Sequence, residues 1–117
     1  ICPVSVLAGL PNGELIRDSR WRALLRSAAV ESAAIASARG VRLAFSDPVQ
    51  ATEEVCRKTA LNFSSMLQDI RRGRQTEINE INGAIVRAAV EMGRDAPVNQ
   101  MLLEKVVELE KNNMYKK

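Results

Sequence analysis

The stretch DSRWRALLRSAAVESAAIASARG, residues 18–40, decides the fold class. Asp18 is a good N-cap. Trp21, Leu24, Leu25, Ala28, Ser32, Ile35 and Ala36 then recur three or four residues apart along one stripe, until Gly40 supplies a stop. At 1.5 Å per residue the helix so predicted is about 30 Å long. Ala28, Ala29, Ala33, Ala34, Ala36 and Ala38 favour helix intrinsically and let neighbouring helices approach closely, which suits the centre of a bundle.

The same period recurs on both sides. Upstream, Leu10-Pro-Asn-Gly-Glu-Leu15 reads as a turn that opens a short helix. Downstream, Asp47, Pro48 and Gln50 supply an N-cap, a first-turn proline and a capping-box partner, and Val49, Cys56, Ala60 and Phe63 continue one face. A third strong helix is predicted from about Thr76 to Met92, with Ile78, Ile81, Ile85, Ala88 and Met92 inward, Glu77, Asn79, Glu80 and Arg87 outward, and Gly93 as terminator. The last starts near Pro97, burying Met101, Leu102, Val106 and Leu109 and wetting Glu104, Lys105, Glu108 and Lys111. Aromatic residues are only 3% and alternating patterns are absent, so the expectation is an all-α domain of five or six helices. Trp21, Leu24, Leu25, Ile35, Ile81, Ile85 and Leu109 are expected in one core.

Composition narrows the chemistry. A chain of 117 residues forms one domain that buries roughly two thirds of its unfolded surface. It has no histidine, which excludes imidazole triads, imidazole metal sites and histidine acid/base pairs. Its two cysteines cannot form a four-thiolate zinc site, so no metal is expected. Cys2 and Cys56 read as reduced thiols in apolar packing, as in a cytoplasmic protein. The longest uncharged run, residues 1–13, is too short to cross a bilayer and is broken by Pro3, Gly9 and Pro11, so no membrane contact is expected. Seventeen basic residues against fourteen acidic give +3, too weak and too spread to argue for nucleic acid. Arg71, Arg72 and Arg74 lack interleaved aromatics and are expected in a solvated loop, paired with Asp69 or Glu77. The chain contains no glycine-rich phosphate loop, and its apolar opening at Ile1 reads as a piece of a longer protein.

One segment breaks the helical pattern. Asn62, Ser64, Ser65, Gln68, Asp69, Thr76, Glu77, Asn79, Glu80 and Asn82 crowd hydrogen-bonding groups into twenty-one residues. A cleft wall for a small polar ligand looks like this, since serine and asparagine grip a carboxylate or hydroxyl and a glutamate holds a lysine or a ribose diol. The same residues also fit a plainer reading. Serines near a helix end act as caps, Asn62 ends a helix, and Glu77 suits a helix start through the macrodipole alone.

Ser64-Ser-Met-Leu-Gln-Asp-Ile70, Gly73-Arg74, Thr76-Glu77-Ile78, Ile81-Asn82-Gly83, Pro97-Val-Asn99 and Pro11-Asn-Gly-Glu-Leu15 together span nearly the whole chain. At this spacing the sequence resembles the C-terminal domain of ketopantoate reductases, the NADPH-dependent 2-dehydropantoate 2-reductases. The resemblance implies a helical substrate-binding domain over residues 1–117, of the kind found in 6-phosphogluconate-dehydrogenase-like reductases. It would follow an N-terminal Rossmann domain that carries the glycine-rich loop, with the active site in the cleft between the two. The implied reaction is hydride transfer from NADPH to the ketone carbon of 2-dehydropantoate, giving pantoate on the route to coenzyme A. The implied partners are a small 2-keto acid, the chain's own N-terminal domain and a second copy in a homodimer.

Carried over residue by residue, the resemblance makes Ser65 the serine that binds the substrate carboxylate and Asn62 an asparagine of the same cleft. Glu77 matches the glutamate beside the catalytic lysine and the cofactor ribose, so it is expected to be both catalytic and cofactor-binding. The proton-donating lysine and the first of two asparagines fall before Ile1, so the 117-residue segment alone is expected to be inactive. Cys2 stands where the second asparagine belongs. A thiol orients a hydroxy acid less well than an amide, which favours a different branched 2-keto acid as substrate. A third reading is a non-catalytic helical module that pairs subunits, and the retained Ser65 and Glu77 argue against it.

Overall fold

The computed structural model describes residues 1–42 and 46–115. They form seven helices, α1 (Cys2–Ala8), α2 (Asn12–Leu15), α3 (Ser19–Ala38), α4 (Pro48–Lys58), α5 (Ser65–Arg71), α6 (Ile78–Glu91) and α7 (Pro97–Tyr115). The all-α expectation holds, and the count of five or six helices is corrected to seven. The additional elements are short. α1 has no side-chain N-cap and no charge, and is marked by Pro3 in its first turn and by Gly9 at its end, where φ is 68°. α5 has only seven residues, too few to show a period.

The long helices start where the carboxylates predict. Asp18 accepts from the Arg20 and Trp21 amides at 2.9 and 3.4 Å and opens α3. Asp47 accepts from the Val49 and Gln50 amides at 3.0 and 3.1 Å and opens α4, with Gln50 contributing its backbone alone. The end of α4 is packed tightly onto α2. The Gly13 amide donates to the Ala60 carbonyl at 3.1 Å, and a Cβ on Gly13 would stand 2.6 Å from the Ala60 Cβ, so only glycine fits.

The single core expected from the sequence is three clusters. Val4, Leu15, Leu25, Ala28, Cys56 and Leu102 form the first, with Trp21 and Leu24 packed against it. Val6, Met66, Leu67, Ile70, Ile78 and Val106 form the second, with Leu109 at its edge. Ile35, Ala89 and Ala96 form the third, with Ile85 beside them. α3 is long enough for Leu25 and Ile35 to enter different clusters, and α7 joins the first two through Leu102 and Val106. Ile81 is 44% exposed, because α6 turns Ile78, Asn82 and Ala89 inward instead. Phe63 lies beyond the end of α4 and is exposed, so the inward face of that helix is Glu53 and Cys56.

Two carboxylates, the buried Glu53 and the half-buried Glu31, fix the long helices. Glu53 accepts from Arg22 Nε at 2.6 Å and Nη2 at 2.9 Å and from Arg26 Nε at 3.2 Å, clamping α4 to α3. The Arg22 hydrogen bonds, with the Arg22 and Arg26 charges, lower its carboxyl from 4.5 to about 2. Glu31 of α3 caps α7 from outside, accepting from the Val98 and Asn99 amides at 3.0 and 2.8 Å. The Asn99 side chain is fully buried and bonds to Glu31 and to the Asn82 amide.

Leu25→Ala is expected to cost about 2–5 kcal/mol in a denaturant titration, whereas Ile81→Ala costs under about 1 kcal/mol. A carboxylate with a depressed folded-state pKa contributes stability above its ordinary value, and that contribution is lost as the pH falls through the folded value. The stability advantage of the parent chain over Glu53→Gln is therefore largest above 4.5 and fades as the pH falls towards about 2. Denaturant titrations of both chains at a series of pH values read this directly.

Candidate active site

α1 and α5 run parallel. The Ser5 hydroxyl donates to the Cys2 carbonyl at 2.7 Å and lies 2.5 Å from the Ser64 hydroxyl. One proton per hydroxyl fixes the direction of the relay: Ser64 donates to Ser5, and Ser64 Oγ accepts from the Leu67 amide at 3.1 Å as the cap of α5. At the far end Arg71 Nη2 reaches the Gly9 carbonyl at 3.4 Å. The N-termini of α1 and α5 therefore lie at the same end of the pair.

This geometry separates the two serines. Ser64 is buried and serves as cap and tether, while Ser65 is exposed and its side chain has no hydrogen bond among the described residues. Glu77 is the N-cap residue of α6, exposed and, among the described residues, without a side-chain cap bond or ion pair. Cys2 is half-buried and packs against the cluster of Met66 and Ile78, the residues that directly follow Ser65 and Glu77. Asn62 sits on the turn into α5, its carbonyl accepting from the Asn12 amide at 2.9 Å and its side chain exposed.

Other members of the polar segment are structural. Thr76 and Asn82 are buried and bonded, and Gln68 Nε2 donates to the Phe63 carbonyl at 3.0 Å. The expected pairing of Arg71, Arg72 and Arg74 with Asp69 or Glu77 is absent among the described residues. Arg71 instead stacks on the Phe63 ring, 4.6 Å from its centroid, because the α5–α1 pairing turns it that way. Both thiols are free, and burial pushes the Cys56 thiol up, consistent with inert packing.

A cavity of about 490 Å³ opens between α1, α3, α4 and α6, lined among others by Cys2, Ala29, Ser32, Ala33, Ile81 and Asn82. It reaches Cys2 but not Ser65, Asn62 or Glu77. The cavity explains why Ile81 is partly exposed. Two asparagine oxygens, Asn82 Oδ1 on its wall and Asn12 Oδ1, are buried without a hydrogen-bond partner. Asn12 was read from sequence only as part of a turn, although its side-chain amide also donates to Thr59 at 3.0 Å. No helix among the described residues is long and apolar enough to cross a membrane.

The sequence family described as ketopantoate reductase PanE/ApbA C terminal matches residues 1–110, and the chain belongs to that family. It is 37% identical over 106 residues to the 2-dehydropantoate 2-reductase of Archaeoglobus fulgidus, a match covering 91% of this chain and 35% of that protein. The chain therefore spans about a third of the length of the curated relatives it matches. The PanE/ApbA family ketopantoate reductase of Ralstonia eutropha JMP134 superposes with a TM-score of 0.86 at 32% identity, over 95% of this chain and 37% of that one. A D-mandelate dehydrogenase solved with NADH and anilino(oxo)acetate also superposes at 0.86, with 26% identity over 96% of this chain and 62% of that one.

Replacing the two serines tests the separation of roles. Ser64→Ala is expected to lose about 1–3 kcal/mol in denaturant titration, because it removes a cap and a buried bond. Ser65→Ala should change stability by less than about 0.5 kcal/mol.

Proposed function

We propose that this chain is the substrate-binding domain of a 2-dehydropantoate 2-reductase that uses NADPH. The observation that carries this reading is the parallel pairing of α1 and α5 through Ser5 and Ser64. It ties the residue before Ser65 to the middle of α1, the helix that, by the family resemblance, follows the lysine-bearing segment. Ser65 then donates its hydroxyl to the substrate carboxylate, and the exposed Asn62 amide completes that wall.

Glu77 is a carboxylate whose side chain has no partner among the described residues, so it fits a ribose hydroxyl on one side and the charge of a proton-donating lysine on the other. The chain offers no phosphate loop, so the cofactor phosphates belong to another domain. When bound, the nicotinamide supplies the hydride. What this chain contributes is orientation: a hydroxyl for the acid group, a carboxylate for the lysine and ribose, and an apolar flank at Cys2 that excludes water.

A second reading, reduction of a different branched 2-keto acid, is favoured by two observations. Cys2 replaces an amide with a thiol beside an alanine-lined cavity, and the fold is shared with a D-mandelate dehydrogenase. Relative kcat/KM for 2-dehydropantoate and other branched 2-keto acids decides between the two.

Steady-state kinetics of the complete reductase test the site. Ser65→Ala should mainly raise KM for the keto acid, by roughly tenfold, because the carboxylate is held alike in ground and transition states. Glu77→Ala should lower kcat/KM by a factor on the order of 10² to 10⁴. The 117-residue chain alone should oxidise no NADPH. Unchanged kcat/KM in Glu77→Ala would return this glutamate to the role of a helix-start charge.

A further inference from the structure

Glu110 of α7 is only 6% exposed and has no ion pair among the described residues. A buried carboxylate without a counter-charge persists only where its hydrogen bonds are made. Both of those bonds go to one residue. Glu110 Oε1 accepts from the Thr76 amide at 2.9 Å and also from the Thr76 hydroxyl. The hydroxyl oxygen in turn accepts from the Ile78 amide at 3.2 Å, at the first residue of α6.

Glu77 lies between these two anchors. Its neighbours Thr76 and Ile78 are 8% and 0% exposed, while its own side chain is exposed and, among the described residues, without a hydrogen bond. Upstream, the backbone is held by the Gly73 amide on the Ile70 carbonyl and the Arg74 amide on the Asp69 carbonyl. Among the described residues, the next bond along the chain is Thr76 to Glu110. Without Glu110, the segment from Gln75 to Glu77 would be tied only by the start of α6.

We infer that Glu110 is a positioning residue for Glu77, setting the direction of its carboxylate through Thr76 without touching substrate or cofactor. The inference rests on the catalytic reading of Glu77 given above. A carboxylate that must meet a lysine and a ribose within hydrogen-bond distance tolerates little displacement, and a shift of about 1 Å can cost up to 10²-fold in rate.

The test is a double-variant cycle on kcat/KM in the complete reductase, using Glu110→Ala, Glu77→Ala and the pair together. Glu110→Ala alone should lower kcat/KM by roughly tenfold through kcat, with KM for the keto acid within about twofold of the parent. In the Glu77→Ala background the same change should cost less than about twofold, because the residue it positions is gone. Glu110→Gln should restore most of the loss, since its oxygen can accept the same two bonds. Should Glu110→Ala fail to fold, Thr76→Val takes its place in the cycle with the same expected coupling. An equal loss in both backgrounds would mean a general weakening of the fold and would overturn the inference while leaving the role of Glu77 intact. A Glu77→Ala enzyme as active as the parent would overturn both.

Discussion

The clamp of Glu31 on the start of α7 is the constraint from which the arrangement of the domain follows. A carboxylate on the fourth turn of α3 accepts the Val98 and Asn99 amides in the first turn of a helix sixty-odd positions later in the sequence. Asn99, fully buried, carries the tie onward to α6 through Asn82. A buried polar group of this kind has few alternative partners, so it fixes which turn of α3 meets the start of α7. From there α7 acts as a strut. Leu102 and Val106 enter two hydrophobic clusters, and Glu110, about 16 Å along the helix from Asn99, anchors Thr76.

The proposed site residues share a local logic. Ser65 directly follows Ser64, and Glu77 directly follows Thr76. In each pair the first residue is buried and its hydroxyl is bonded to a distant helix, α1 for Ser64 and α7 for Thr76. The second has an exposed side chain with no hydrogen bond among the described residues. Rigid anchoring of one residue is what lets the next present a free polar group without the entropy cost of ordering it on binding. The cavity at Cys2 adds apolar surface to the same end, and its alanine lining from α3 lets other chain or ligand atoms approach closely.

Much of the fold was legible because the signals are local. Asp18 and Asp47 cap where they should, Pro97 starts α7, and Gly93 ends α6 with a φ of 67°. α1 and α5 were not legible as helices, since seven residues show no period and α1 has no cap. The one-core expectation failed because helical spacing says which residues share a face but not how far along the helix the neighbouring elements reach. Ile81 shows a second limit: Asn82 beside it is drawn inward by Asn99, which rotates the buried face of α6 away from the most apolar stripe. Glu31, Glu53 and Glu110 all read as ordinary surface charges, because the amides and guanidinium groups that bond them are distant in sequence. For the site, spacing alone favoured caps over ligands, and the family resemblance singled out Ser65 and Glu77. The structure adds that Ser64 is the cap.

The most direct measurement is a structure of the complete reductase with cofactor and keto acid bound. The account predicts the acid carboxylate within about 2.7–3.2 Å of Ser65 Oγ, with the Glu77 carboxylate turned to the cofactor at the joint end of α1 and α5. A keto acid lodged in the cavity between α3 and α6, with Ser65 and Glu77 facing only solvent, would contradict it.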